Sequence, residues 1–198
     1  NVLAKKFNSR IIAYSTNVSS SFLGRFDWFL SKFFFLRELG VYRSFGTDDF
    51  FQIQVNANQL CRANQLLKNI FAAIGSKKDI ELIQIDGVLL GDLIYDSYLK
   101  KKKIPTIEIT DDGFKTFLLQ AISIYIFWID YFKEHDVRAI NVSHCVYLMA
   151  IPMRIAVSLD IPAFQITPIH VYRLNPKNLF AYSDCTGFRE KFRNLPID

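Results

Sequence analysis

Apolar positions along this chain follow two rhythms. Over residues 56–74, Leu60, Ala63, Leu67, Ile70, Phe71 and Ile74 recur at spacings of three and four, on one face of a helix, and Gly75 follows as a stop. The same spacing runs through 25–39, with Phe26, Phe29, Leu30, Phe33 and Phe34 as the stripe and Gly40 as the end. A long helix is predicted to about Glu134, with Thr110 and Asp111 both suited to cap its start. Helical patterns also cover 92–102 and 146–159, and Pro152 either kinks the latter or begins its second part. Residues 2–7 read as the last turns of a helix closed by Asn8.

Between these stretches lie short, continuous apolar runs at 10–15, 81–85, 137–142 and 161–166. Residues 104–109 are extended, because Pro105 disfavours helix in the residue before it. Residues 17–21 read as a polar loop, and Asp48 and Asp49 as part of a turn. Apolar strands alternating with amphipathic helices predict an α/β fold, a Rossmann-like parallel sheet with helices on both faces. The expected sheet includes 10–15, 82–85, 139–142 and 163–166. No internal repeat or low-complexity linker divides residues 1–198, so one domain is the economical reading.

Composition narrows the class. Hydrophobic residues make up 51% and charged residues 22% of the 198, which argues against a disordered chain. Many of the 19 Phe fall in two patches, 26–35 and 114–132, that must pack against something. The most lipid-like stretch, 116–128, is roughly 13 residues against the ~20 a spanning helix needs, so a buried or interfacial helix is expected. Cys61, Cys145 and Cys185 are widely spaced, with no CxxC and no histidine at zinc spacing. The simple reading is free thiols in a reduced compartment; no metal site and no cofactor are expected, and the expected setting is cytoplasmic. A net charge of +5 permits an anionic ligand or a peripheral contact with an anionic membrane face. Basic residues and aromatics do not interleave into a nucleic-acid stripe. The chain opens on Asn1 inside a helix that has no beginning, and reads as a piece of a longer protein.

In open parallel sheets ligands gather where strands end and helices begin. Two junctions qualify. The first is 85–96, where Gly87 and Gly91 precede a helix carrying Asp92, Tyr95 and Asp96; its spacing is neither GxGxxG nor a P-loop. Asp92 and Asp96 stand one turn apart, and either bind something or serve as cap and as partner of Lys100. The second is Ser143-His144-Cys145 at a strand end, followed by Tyr147 and Arg154. His144 there can act as base, acid or hydrogen-bond donor. Arg173, after the last predicted strand, can grip a phosphate or carboxylate. Lys100 to Lys103 form a cationic run suited to a helix end.

The run Gly91-Asp92-Leu93-Ile94-Tyr95-Asp96-Ser97-Tyr98-Leu99-Lys100 resembles a segment of bacterial capsule and lipopolysaccharide glycosyltransferase-like proteins of two-lobed GT-B architecture. Ser143-His144, Tyr147, then Pro152, Arg154-Ile155-Ala156 and Asp160-Ile161-Pro162 are similar to a second block of the same proteins. Lys100 stands where that family usually has Arg, and Asp160 where it usually has Gly. The resemblance spans about 81–167. It implies the first, acceptor-side lobe of a GT-B fold, with a nucleotide-sugar donor bound mostly by a lobe beyond these residues and a glycan acceptor. It also implies a cytoplasmic location, at most peripheral to the inner membrane.

On that reading His144 and Asp92 are the catalytic candidates, expected to share one cleft at the carboxyl edge of the sheet. Arg154 and Arg173 are the phosphate-binding candidates, and Gly91, Tyr95, Asp96, Ser143 and Tyr147 line the substrate site. A non-catalytic Rossmann-like binding or scaffold domain is the alternative. A hydrolase built on Ser143 and His144 lacks a Gly-x-Ser-x-Gly elbow.

Overall fold

Residues 121–126 are six consecutive apolar or small side chains, and no single helical stripe can hold six in a row. A helix apolar all round is stable only with packing on every side. In the computed structural model, which describes residues 2–15, 42–181 and 192–196, all six are buried in one long helix. The predicted helix 25–39, the polar loop 17–21, the first Phe patch and Cys185 lie outside the described residues. The described fold is mixed α/β, with small parallel and mixed sheets. Backbone contacts divide it into two compact units, residues 1–57 and 58–198.

In the first unit, helix α1 (Val2–Phe7) leads to strand β1 (Ile11–Ser15), which pairs in parallel with β2 (Thr47–Gln52). Asp48 and Asp49 therefore lie in a strand rather than a turn. Tertiary pairing overrides their poor strand propensity. The Asp48 carboxylate even joins the ladder edge, accepting from the Ile11 amide at 2.8 Å. Phe50 and Ile53 supply the buried apolar positions.

The second unit begins with α2 (Ala57–Ala73) and α3 (Lys77–Glu81), the latter started by a capping box between Ser76 and Asp79. A two-stranded antiparallel ribbon follows, β3 (Gln84–Ile85) with β4 (Val88–Leu89). The predicted run 82–85 thus does not join a parallel sheet. Asp86 and Gly87 both have positive φ, 51° and 78°, the conformation of a two-residue hairpin turn. Asp-Gly between apolar residues is the sequence mark of that turn, and the apolar run masked it.

Next come α4 (Gly91–Lys102) and α5 (Asp112–Glu134). Asp111 caps α5, accepting from the Gly113 amide at 2.8 Å, as its sequence position predicts. Tyr125 of α5 donates to Asp86 (3.0 Å) and to the Ile85 carbonyl (3.3 Å), fastening the hairpin to the helix. Gln59 and Arg62 of α2 both reach Asp130. Among the described residues no helix is long and apolar enough to cross a membrane, in keeping with the buried role expected for 111–134.

Strand β5 (Ile140–Val142) and β6 (Ala163–Ile166) run parallel, joined through a 3-10 turn (Leu148–Ala150) and α6 (Ile151–Ser158). Pro152 lies in the first turn of α6, where its missing N–H costs nothing. Strand β7 (Val171–Arg173), which the hydrophobic pattern did not predict, adds to β6 antiparallel and closes a three-stranded mixed sheet in the order β5-β6-β7.

The cap of α5 carries a pH dependence. The buried Tyr98 hydroxyl donates to Asp111, and this bond, with the Gly113 amide, holds the Asp111 carboxyl below its ordinary value of 3.8. A carboxylate depressed in the native state contributes stability that is complete above its unfolded pKa and lost as pH falls through its native one. Tyr98→Phe is therefore expected to lower the urea midpoint at pH 7 and to flatten its fall below about pH 4. Urea titrations between pH 7 and 2.5 read both; an unchanged acid limb would remove this cap from the account.

Candidate functional site

The start of α4 is set by backbone contacts. The Leu90 and Gly91 amides both donate to the Ile83 carbonyl, at 2.9 and 3.0 Å. Gly91 is buried against the end of α3, where a β-carbon would sit 2.1 Å from the Ile80 carbonyl oxygen and 2.5 Å from that of Glu81. The glycine of the first motif is thus explained by close packing.

From there Asp92, Asp96 and Lys100 follow at intervals of four, along one face of the helix. Two contacts at the ends of that face define what covers it. At one end Arg154 of α6 forms a fork-to-fork pair with Asp92: Nη1 to Oδ1 and Nη2 to Oδ2, both 2.5 Å. Nη1 also donates to the Leu89 carbonyl at 2.8 Å. Arg154 is only 2% exposed, its guanidinium lies 5.2 Å from the Phe180 ring, and its Nε has no hydrogen-bond partner among the described residues. At the other end the Lys100 ammonium stands 4.1 Å over the Tyr147 ring. Beside it the Leu148 amide donates to Ser97 Oγ at 2.9 Å. The segment from Tyr147 to Arg154 therefore lies along α4, and the two sequence blocks form one surface.

Asp96 sits between these contacts. It is exposed, and among the described residues its carboxylate makes no hydrogen bond or ion pair; the expected partner, Lys100, goes to Tyr147 instead. Its pKa is raised, first by loss of hydration around the carboxyl, then by repulsion from Asp92 and Glu81, with Arg154 pulling the other way. Tyr147 has φ 60° and ψ −172°, a region that is nearly glycine's own and costs a side chain about 1–3 kcal/mol. Tyr147 is held on both sides, its ring under the Lys100 ammonium and its carbonyl accepting from the Ala150 amide at 3.0 Å where the 3-10 turn begins.

Ser143 and His144 are exposed on the loop after β5, at the carboxyl end of the parallel pair. Under that loop is a polar network that the hydrophobic pattern did not reveal. Gln165, fully buried in β6, donates to the Ser143 carbonyl at 3.0 Å and accepts from the Cys145 thiol at 3.0 Å. The thiol also reaches the Phe180 carbonyl at 2.8 Å. The available signal was a lone amide within an otherwise apolar strand, which must find partners when buried.

Two candidates stand apart. Tyr95 shares a 3.3 Å hydrogen bond with Thr106 and joins none of these contacts. Arg173 lies opposite Phe164 near the start of β6, because β7 runs antiparallel. It is thus toward the amino edge of the sheet, away from His144. Asp92 belongs to the helix after the β3–β4 ribbon, outside the sheet that carries His144, so the common-edge argument for their shared cleft does not hold. The contacts of α4 with residues 147–154 link the two regions in its place.

Among the described residues no cluster of three or more His, Cys, Asp or Glu is placed to hold a metal ion. No family model, curated protein or solved structure matches this chain.

Proposed function

We propose that this chain is part of a GT-B-type glycosyltransferase, a Rossmann-like lobe that moves a sugar from a nucleoside-diphosphate donor to a growing surface glycan. The observation that carries the reading is the meeting of the two motif blocks on one face, with the unpaired Asp96 between a buried ion pair and a strained tyrosine. Supporting it, the β5–α6–β6 segment is a parallel strand-helix-strand unit whose carboxyl end bears Ser143 and His144.

Sugar transfer forms a bond from an acceptor oxygen to the anomeric carbon as the bond to the donor phosphate breaks. The acceptor proton needs a base, and the departing diphosphate needs positive charge. His144 and Asp96 are assigned to the acceptor side. Asp92 has both oxygens engaged by Arg154, so its part is to position α4 against α6. Arg154 itself, with both terminal nitrogens engaged and the side chain buried, acts as a structural cation. The cation for the diphosphate then comes from Lys100 or from the donor-binding lobe.

Asp96→Asn is the sharpest test. A carboxylate whose native pKa is raised opposes folding as pH rises through that value. The amide variant is therefore expected to melt at the wild-type temperature or above it at pH 7, while the longer protein that also carries the donor-binding lobe, with the same substitution, transfers label from a panel of nucleoside-diphosphate sugars to a glycan acceptor at least tenfold more slowly. His144→Ala should fall by a factor of about 100 or more. Wild-type transfer in both variants, or no donor turned over by the unmodified two-lobed protein, would reject the assignment.

A further inference from the structure

The amino edge of the three-stranded sheet, to which β7 brings Arg173, has its own concavity. A surface cavity of about 300 Å³ opens there between the end of α6 and the residues after β7. Its polar lining is Asp160, Arg173 and Asn175; Val157, Pro162 and Leu174 supply apolar wall. The volume is at the small end for ligand sites. Asp160 and Arg173 carry opposite charges around one cavity, yet they do not pair with each other, and among the described residues neither side chain has any other hydrogen-bond or ion-pair partner. Asn175 has its oxygen on the Lys177 amide at 2.9 Å, which leaves its NH₂ to donate.

Asp160 is also fixed in place. It follows α6 with φ 58°, and its amide donates to the Val157 carbonyl at 3.2 Å. The left-handed conformation is one that aspartate tolerates better than most side chains.

We infer that this cavity binds a small zwitterion of the size and charge of a free α-amino acid. A guanidinium matches a carboxylate with two parallel hydrogen bonds. A free carboxylate lining the same cavity matches an ammonium. Charge decides between ligand classes: Asp160 repels a simple anion and Arg173 a simple cation, so a ligand bearing both signs is the one that both residues attract. Its aliphatic part then lies against Val157, Pro162 and Leu174. The site is on the opposite sheet edge from Ser143 and His144 and stands independently of the sugar-transfer reading.

The test is a titration of the ¹⁵N-labelled chain, following the Ile161, Leu174 and Asn175 amides, with each of the twenty free L-amino acids, and with acetate and methylammonium as single-charge probes. At least one amino acid is expected to shift these amides with half-saturation below about 10 mM, a weak affinity in keeping with an open site. Acetate and methylammonium should each bind at least tenfold more weakly, as should Arg173→Gln and Asp160→Gly, since each lacks one charge-assisted contact. Asp160→Gly is chosen because glycine is at ease at φ 58°, so its fold is retained and lost binding reports the carboxylate. The inference is overturned if no amino acid moves these amides up to about 10 mM, if acetate binds as tightly as the best amino acid, or if both substitutions leave affinity unchanged.

Discussion

Replacing Asp92 with alanine is expected to destabilise the second unit by about 3–5 kcal/mol, the range for removing one partner of a buried ion pair. The cation left behind is the reason. Arg154 is 2% exposed, and its two terminal nitrogens rest on Asp92. Without that carboxylate a full positive charge remains beside one backbone carbonyl and the Phe180 ring, with little water to hydrate it. Arg154→Met should cost less, because it removes the buried charge and leaves Asp92, 28% exposed, able to meet solvent. The ordering separates this account from a simple loss of contacts, which predicts equal effects. Urea unfolding followed by circular dichroism measures both variants. An Asp92→Ala protein within ~1 kcal/mol of the parent would show that the pair is not holding α4 to α6. Loss of the proposed transfer in Asp92→Ala would report mostly on folding, so the proposal is better probed at Asp96 and His144.

Gly91→Ala is expected to cost about 3 kcal/mol, at the upper end of the range for overpacking. The added carbon would meet backbone atoms of Ile80 and Glu81 at 2.1 to 2.5 Å, and backbone cannot swing aside as a side chain can. Relief requires α4 to move away from α3, whose Ile80 is fully buried and whose start is fastened by its capping box. Gly87 provides the contrast. A β-carbon there meets open space, so alanine at that position suffers only the positive φ of 78° and should cost about 1 kcal/mol. A denaturation midpoint for Gly91→Ala equal to that of Gly87→Ala would contradict the close approach of the two helices.

Much of the local structure was legible in the sequence. The expected helix 56–74 is observed as Ala57–Ala73, and the predicted cap Asp111 starts α5. Pro152 divides its segment where its missing N–H is harmless. These features depend on spacing and on single-residue stereochemistry, both written in neighbouring positions. Strand pairing was less legible, because a short apolar run looks the same whether it pairs with a distant strand or folds back on itself. The run ending at Ile85 made a hairpin, and Asp86-Gly87 was the clue. Asp48 and Asp49 entered a strand because β1 was there to pair with them.

At the candidate site, sequence alone offered the ionisable groups at strand and helix junctions: the carboxylates one turn apart on α4, the histidine after β5 and the arginine of α6. Their pairing and burial were decided by the tertiary structure, since a charged group's behaviour depends on which opposite charge lies within a few ångströms and how much water surrounds it. Nothing local to Asp92 says that Arg154, 62 positions away, will occupy both of its oxygens and leave Asp96 unpaired. Nor does anything near Arg173 reveal that an antiparallel strand carries it to the other edge of the sheet. Helices and caps are short-range and were fixed by the order of residues; ion pairing, desolvation and strand direction are long-range and exist only once the chain has packed.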